Sequence, residues 1–553
     1  MIGVECGTCA NRCTHPTETT AQNENLLTSH QKIASEIRAN THQEQNHKRK
    51  QNCGRRLPVF RTVEVIILGQ GGDSPLRAHV RFRQSPRAGR FLENTRRTSI
   101  GVTEMNANSN AANNWQESCD TMVALAPSTR GGNTVFAKNS DRPQEEAQPL
   151  VMVAAADHNG GYAGAQFVDV PQVGHIYRHV GSKPYWCSGY EHGFNEYQLV
   201  IGNEALPSRL PAVDEPKLVG MEVLRLALER SRSAAEAVDV ITGLVGAFGQ
   251  GKFANGARVR TYDNIYLVAD PASAYVVECV GHDWAVKRVE EFTSISNVGQ
   301  IGKDAESVSP GAKSLATRLG LFEMGLGESF DFAKAFADVG TSASGIARQC
   351  RSEAMLGAGA GRLDVRSLAG VLTDHSDSQN PDEPHVTDVA GDTSICVHRT
   401  TGESKGASTA SLVADLCATD ERLPVYWCGM YSPCMTVFMP IFIEGDLPNS
   451  LSVARETPSD DSPWWDFYRL THYGLQAGPE MRAEIRSGLL VLQNELFESA
   501  YEMAKKGREL IGNGASGAAS ELLTGYMAEN ARRVVSKVKM LVPANARLIS
   551  AAR

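Results

Sequence analysis

The chain has 553 residues, of which 42% are hydrophobic and 21% charged, with 50 Gly and 24 Pro; this is ordinary usage for folded protein and excludes collagen-like, coiled-coil and wholly disordered classes. Its length also excludes one ordinary core, since domains mostly run to about 100–200 residues. The net charge of −8 is uneven: residues 1–118 carry 16 Lys+Arg against 10 Asp+Glu, a net of +6, and the remainder carries 39 against 53, a net of −14.

The first 118 residues are rich in Arg, Asn, Gln and Thr, with basic clusters at His47-Lys48-Arg49-Lys50 and Arg81-Phe82-Arg83. They show no sustained helical or strand periodicity and read as a mostly disordered leader or propeptide. Met105 offers an alternative start. A transit role is disfavoured by Glu5, Glu18, Glu24, Glu36 and Glu44, because transit peptides are poor in acids. No nucleic-acid module is recognisable and aromatics are sparse, so no nucleic-acid partner is expected. Cys6, Cys9, Cys13 and His15 resemble a metal cluster, but no second pair follows at finger spacing, and no metal is assigned.

The pattern sharpens at Cys119. Residues 119–125 read as a strand, Thr129-Arg130-Gly131-Gly132-Asn133 as a turn, and 134–138 as the returning strand, which makes a hairpin. Its far end delivers Lys138, Asp141 and Arg142 to the level of Cys119. A strand at 197–202 follows, and then two helices. Leu218, Met221, Leu224 and Leu228 share a face of the first; Ser233 and Glu236 cap the second, which carries Ala237, Ile241, Leu244 and Phe248 before Gly249. A β-meander is expected at 265–269, 274–278 and 284–287, with Asp270-Pro271-Ala272-Ser273 and Gly281-His282-Asp283 as its turns. Further strands are expected at 295–297, 394–397, 411–413 and 435–443. A helix from 479 to about 510 carries Ile485, Leu489, Leu492 and Leu496 at coiled-coil-like spacing.

Hairpins grouped apart from helices indicate an α+β fold, and no Gly-rich fingerprint opens a helix as a dinucleotide site would. Apolar runs such as 65–68 and 437–443 are far below the roughly 18 residues of a membrane span. The eight cysteines from Cys119 onward are scattered singly and no apolar signal precedes them, which favours a reducing, cytoplasmic setting. Cys428 and Cys434, six apart, suit neither redox nor the usual zinc spacing.

Five blocks carry a resemblance. Ser118-Cys119-Asp120-Thr121, Phe136-Ala137-Lys138-Asn139-Ser140-Asp141-Arg142, Asn195-Glu196 with Ile201-Gly202-Asn203-Glu204-Ala205, Leu224-Arg225-Leu226-Ala227-Leu228-Glu229-Arg230 and Ile295-Ser296-Asn297 occur in an order that resembles the secernins and related bacterial dipeptidases, cysteine N-terminal-nucleophile hydrolases. The likeness runs from about 118 to 445 and more loosely to the end. It implies a four-layered αββα sandwich of antiparallel sheets over 119–455, with a mostly helical extension over 456–553.

It also implies a chemistry. A thiol is only a few per cent ionised at neutral pH, and cleavage between Ser118 and Cys119 would free an α-amine of pKa near 7.7–8.0 to act as its base. Asp141 would orient that amine, and Lys138 or Arg142 would stabilise thiolate and substrate carboxylate; an Arg commonly stands at the Lys138 position in the superfamily. Asn203 and Asn297 are the expected oxyanion donors, with Asn195 as the reserve candidate; Arg142, Asn195 and Glu204 are the expected substrate-binding residues, Glu204 as acceptor for a substrate ammonium. His192 and His398 are given structural roles, because an amino-terminal mechanism needs no imidazole. The expected function is a cofactor-free, metal-free dipeptidase, with oligomeric state left open. The alternatives are a secernin-like regulator of secretion with little activity, or an acylase for non-peptide amides.

Overall fold

The structure is a computed structural model. It describes residues 118–543 except 253, 256–257, 260–261, 324–328, 342, 377–392, 400–405 and 454, and upstream of these only two strands. The chain divides into two units, 1–107 and 108–553. Of the first, the described part is an antiparallel hairpin, Val63–Leu68 with Arg77–Phe82. The sequence reading found no strand periodicity there, yet Arg77, His79 and Arg81 alternate with Ala78, Val80 and Phe82, the period of a strand. The cysteine group at 6–15, Met105 and the remainder of the expected disordered leader lie outside the described residues.

The second unit is built on two antiparallel sheets. We label its main elements β1 Cys119–Ala124, β2 Val135–Pro143, β3 Leu150–Val153, β4 His179–Ser182, β5 His192–Asn195, β6 Val200–Leu206, α1 Gly220–Arg230, α2 Ala234–Phe248, β7 Asp263–Ala269, β8 Ala274–Val280, β9 Asp283–Arg288, β10 Phe292–Ile295, β11 Ser307–Val308, α3 Ala343–Gly359, α4 Val365–Leu372, β12 Gly406–Asp415, β13 Val425–Met430, β14 Met439–Ile441, α5 Pro463–Ala477, α6 Pro479–Gly512 and α7 Ser516–Leu541. One sheet runs β11-β9-β8-β7-β6-β5-β4-β3; the other runs β10-β1-β2-β12-β13-β14, with the two-residue strand His398–Arg399 also paired to β12.

The expected hairpin is present, with Cys119 opposite Ser140 and Thr121 opposite Lys138. The meander is present too, as β7, β8 and β9. Helix α2 begins where Ser233 Oγ accepts the Glu236 N–H at 3.2 Å and ends at Gly249 with φ 67°, so its cap was legible in the sequence. Helices α1 and α2 pack on strands of the first sheet, and α3 and α4 on β10, β1, β2 and β12 of the second. Strand β1 meets β6 and β7 across the gap between sheets, and Phe194 of β5 stacks on Tyr426 of β13 with ring centroids 3.5 Å apart.

Four strands differ from expectation. That at 295–297 falls at Phe292–Ile295, leaving Ser296 and Asn297 beyond its end. That at 197–202 begins only at Val200, because Gln198 adopts φ 61° and makes a turn. Residues 394–397 form no strand, the pairing falling on His398–Arg399. The run 435–443 breaks into a 3-10 turn, Pro433–Met435, and the short edge strand β14, which contains Pro440; proline lacks the N–H a longer ladder needs. In α6, Ile485, Leu489, Leu492 and Leu496 are all buried, in one core with Trp427, Phe442, Trp464, Leu523 and Val534. Among the described residues no helix is long and apolar enough to cross a membrane.

Candidate active site

Side chains of a strand alternate between its two faces, and at β1 and β2 the alternation sorts the chemistry. Thr121 and Lys138, opposite each other, reach the first sheet: the Thr121 hydroxyl donates to Glu204 Oε1, and Lys138 Nζ donates to the Asn203 carbonyl at 2.6 Å and lies 3.3 Å from Glu204 Oε1. Gly202 makes this possible, since a Cβ there would sit 2.7 Å from Lys138 Cδ. Asp120 and Asn139 turn the other way, toward the helices. Arg348 of α3 donates to Asp120 Oδ2 at 2.9 Å, and Asn139 Nδ2 donates to the Leu372 carbonyl at the end of α4 at 2.8 Å.

Cys119 lies where these groups meet and is 4% exposed. Its backbone N–H donates to Asn297 Oδ1 at 2.9 Å. Its sulfur accepts the Asp141 backbone N–H at 3.3 Å. The Asp141 carboxylate accepts the hydroxyls of Ser118 at 2.9 Å and Ser408 at 2.6 Å. Strand β10 ends at Ile295, so Ser296 and Asn297 are free of the ladder. Helix α3 closes on them at Gly345, where a Cβ would stand 2.9 Å from the Asn297 carbonyl oxygen. Arg348 then donates to Asn297 Oδ1 at 2.7 Å and to Ser296 Oγ at 2.9 Å.

Burial pushes the Cys119 thiol well above its ordinary pKa; Lys138 pulls it down, while Glu204, Glu191 and Asp141 push it further up. Burial opposes the charge on Lys138, yet the surrounding Cys119, Glu204 and Glu191 hold its pKa above the usual value. Burial lifts Glu204 to about 8 against the pull of Lys138 and Thr121, and lifts Asp120 to about 6 against Arg348. Cys119 is therefore a buried thiol beside a fixed cation.

Of the expected residues, Lys138, Asp141 and Asn297 meet around Cys119, and Asn195 bonds elsewhere. Asn297 meets Cys119 through its amide oxygen, where the sequence reading has it as an oxyanion donor; its Nδ2 donates to the Ala205 carbonyl at 2.9 Å. Asp141 touches the sulfur through its backbone, and its carboxylate faces hydroxyls where an ammonium was expected. The Asn203 amide, oriented so that its nitrogen meets acceptors, donates to the Glu191 carbonyl at 2.9 Å. Lys138 and Glu204, expected to hold substrate termini, are fully buried against each other. Arg142 is 5% exposed and bonds Glu146 at 2.8 Å and Glu191 at 3.4 Å. Asn195 is a strand-end cap: its Nδ2 donates to the Leu228 and Ser231 carbonyls, and its Oδ1 accepts from Tyr197 and Leu199.

Sequence reading missed Arg348, Glu191 and Ser408. Ser344 and Gly345 just before Arg348 mark a helix face able to approach another backbone closely, which was the available signal for that arginine. His192 is buried, its ring nitrogens have no hydrogen-bond partner among the described residues, and burial keeps it neutral.

No family model matches the sequence. Solved structures similar to it include two variants of conjugated bile acid hydrolase from Clostridium perfringens, at 12% and 11% identity, each covering 56% of this chain and 89% of that one with a TM-score of 0.34. An N-acylethanolamine-hydrolyzing acid amidase ortholog from Caenorhabditis elegans matches at 13% identity over 53% of this chain and 92% of its own, with a TM-score of 0.27. Similarity of this size assigns no function, which has to come from the site itself.

Proposed function

We propose that this chain is a cysteine-type amide hydrolase of the N-terminal-nucleophile kind, folded as a four-layered αββα sandwich, matured by cleavage between Ser118 and Cys119, and acting on free dipeptides. One observation carries the reading: the Cys119 N–H is held by Asn297 Oδ1 at 2.9 Å while its sulfur receives the Asp141 N–H at 3.3 Å. Both ends of the proposed nucleophile-and-base residue are thereby fixed before the amine exists. After cleavage the α-amine keeps Asn297 as its acceptor and takes the thiol proton. The thiolate attacks the substrate carbonyl, the ammonium returns the proton to the leaving amine, and water then releases the acyl group from sulfur. Lys138 supplies the positive field for the thiolate.

The burial of Lys138 and Glu204 against each other favours keeping a second reading, an acylase for non-peptide amides, because it occupies two groups expected to hold the charged termini of a dipeptide, which such an amide need not present. A secernin-like regulator is the third. Intact and peptide mass measurement of active protein tests the first step: a new amino terminus at Cys119 is expected, and active protein retaining only the uncleaved Ser118–Cys119 peptide overturns the mechanism. Faster hydrolysis of long-chain acyl amides than of free dipeptides would make the acylase reading the better one. Matured protein with a reactive Cys119 that cleaves neither class would leave the regulator.

A further inference from the structure

Away from Cys119, four side chains that the catalytic reading does not use converge from three segments. His375 follows the end of α4 by three residues, Cys396 and His398 flank Val397 ahead of β12, and Cys434 lies in the turn after β13. Their ligand atoms all lie within 4.8 Å of one another. His398 Nε2 is 3.1 Å from both Cys396 Sγ and Cys434 Sγ. A tetrahedral zinc ion with its usual bond lengths would separate a sulfur and a nitrogen ligand by about 3.6 Å, inside this range.

We propose that His375, Cys396, His398 and Cys434 form a closed four-coordinate site for Zn²⁺. Two thiolates and two imidazoles at the corners of a tetrahedron are a donor set of structural zinc sites, and the softness of sulfur disfavours calcium or magnesium. Metal-binding histidines have their second nitrogen held by another group; here His398 Nδ1 is 3.2 Å from Ser432 Oγ. Cys396 and His398 are 0% and 4% exposed, so the ion would be shielded, while His375 and Cys434 line a cavity of about 480 Å³ shared with Thr436 and Phe438 that offers an entry path. Binding converts two thiols to thiolates and releases two protons. The site departs from the metal-free expectation of the sequence, where 21 residues separate His375 from Cys396 and 36 separate His398 from Cys434, spacing that matches no finger pattern.

The consequence of occupancy reaches Asp141. Val397, between two of the ligands, accepts the Ser408 N–H at 3.0 Å and donates its own N–H to Ser408 Oγ at 3.0 Å, and that hydroxyl donates to Asp141 Oδ1 at 2.6 Å. The ion would anchor the segment that holds this carboxylate. The proposal stands on the four ligands and does not depend on what Cys119 does.

The test uses the full chain purified under reducing conditions. Elemental analysis after dialysis should find about one zinc per chain. The Cys396→Ser, Cys434→Ser double variant should retain less than a tenth of that, and Cys417→Ser should retain all of it. Should the double variant not fold, the wild-type chain decides: after removal of metal by a chelator, one equivalent of Co²⁺ should give the absorption of tetrahedral thiolate-bound cobalt, and iodoacetamide should label Cys396 and Cys434 at least tenfold faster in the stripped than in the loaded protein. Neither zinc retention nor a cobalt spectrum, a full equivalent of zinc in the double variant, or a Cys396–Cys434 disulfide in the native peptide map would each overturn it.

Discussion

Cys119 at the start of β1 and Cys279 near the end of β8 are both strand cysteines, 4% and 0% exposed, and burial raises both thiols well above their ordinary values. Around Cys279 the further influences, Asp263 and Glu278, only push in the same direction, and its core neighbours include Ile201, Val277 and Val286. Around Cys119 a lysine pulls back, a backbone N–H points at the sulfur, and an asparagine holds its own nitrogen. Burial and thiol acidity do not separate the two cysteines here. The polar groups that the paired strand β2 brings to the sulfur, and Asn297 to the backbone nitrogen, do.

The sharpest test of that contrast is a pair of substitutions. Cys119→Ala is expected to abolish both processing and hydrolysis, a loss on the order of 10⁶-fold in kcat, the scale for removing a nucleophile, whereas Cys279→Ala should keep activity within about twofold and cost about 1 kcal/mol of stability. Equal activities in steady-state assays of the two variants would erase the distinction. Next in size is Lys138→Met measured at about pH 9, above the Glu204 value of about 8, where the ionised carboxylate loses its buried cation and the fold should be destabilised by about 3–5 kcal/mol in denaturant unfolding. Adding Glu204→Gln should recover most of this loss. An undiminished unfolding midpoint in the single variant would show that the cation is not held as described.

The pH dependence follows from the same pair. Glu204 holds its proton up to about pH 8 when folded, against an ordinary value of 4.5. The folded chain therefore keeps a proton through pH 4.5–8 that the unfolded chain has released, and stability falls as pH rises across this window. Relative to Glu204→Gln, the wild-type chain should lose stability over that range and level off above it; a constant difference in thermal melts would contradict the raised carboxyl. Blocking either terminus of a dipeptide substrate should lower kcat/KM by about 1–3 kcal/mol, the scale of a lost charged hydrogen bond. The smallest effect is expected from a chain starting at Met105, whose stability and activity should match the full chain within about 0.5 kcal/mol. A collapsed melting transition would mean that the upstream unit contributes to the contrast.

The local parts of this picture were readable in advance. The hairpin that presents Cys119, the Ser233 cap, the meander and the apolar stripe of α6 all follow from patterns within some twenty residues. The approach of Lys138, Asp141 and Asn297 to Cys119 was anticipated from ordered blocks, yet which atom of each faces Cys119 was not. Orientation depends on partners such as Arg348, set by the approach of α3 at Gly345, and no pattern near Cys119 encodes that approach. Lys138 and Glu204 illustrate the same limit: as a cation and an anion in a proposed cleft they read as substrate ligands, and only the facing of β2 against β6 reveals that they are buried against each other. His398 was read as structural because an amino-terminal mechanism needs no imidazole, and of the side chains near it only Cys396 is local, His375 and Cys434 coming from two other segments.

The pairing of the strands also sets a schedule. Cys119 depends on Asn297, 178 residues later, and the Asp141 beside it depends on Ser408, 267 residues after itself. At a synthesis rate of about 5–20 residues per second, the interval between the ribosome making Cys119 and making Ser408 is on the order of 15–60 s, before the slow closure of such long-range contacts begins. During that time the peptide bond before Cys119 has neither the Asn297 acceptor nor the buttressed Asp141. Cleavage there would then be a late event in the life of the chain, and its appearance would report that the last strand of the site has arrived.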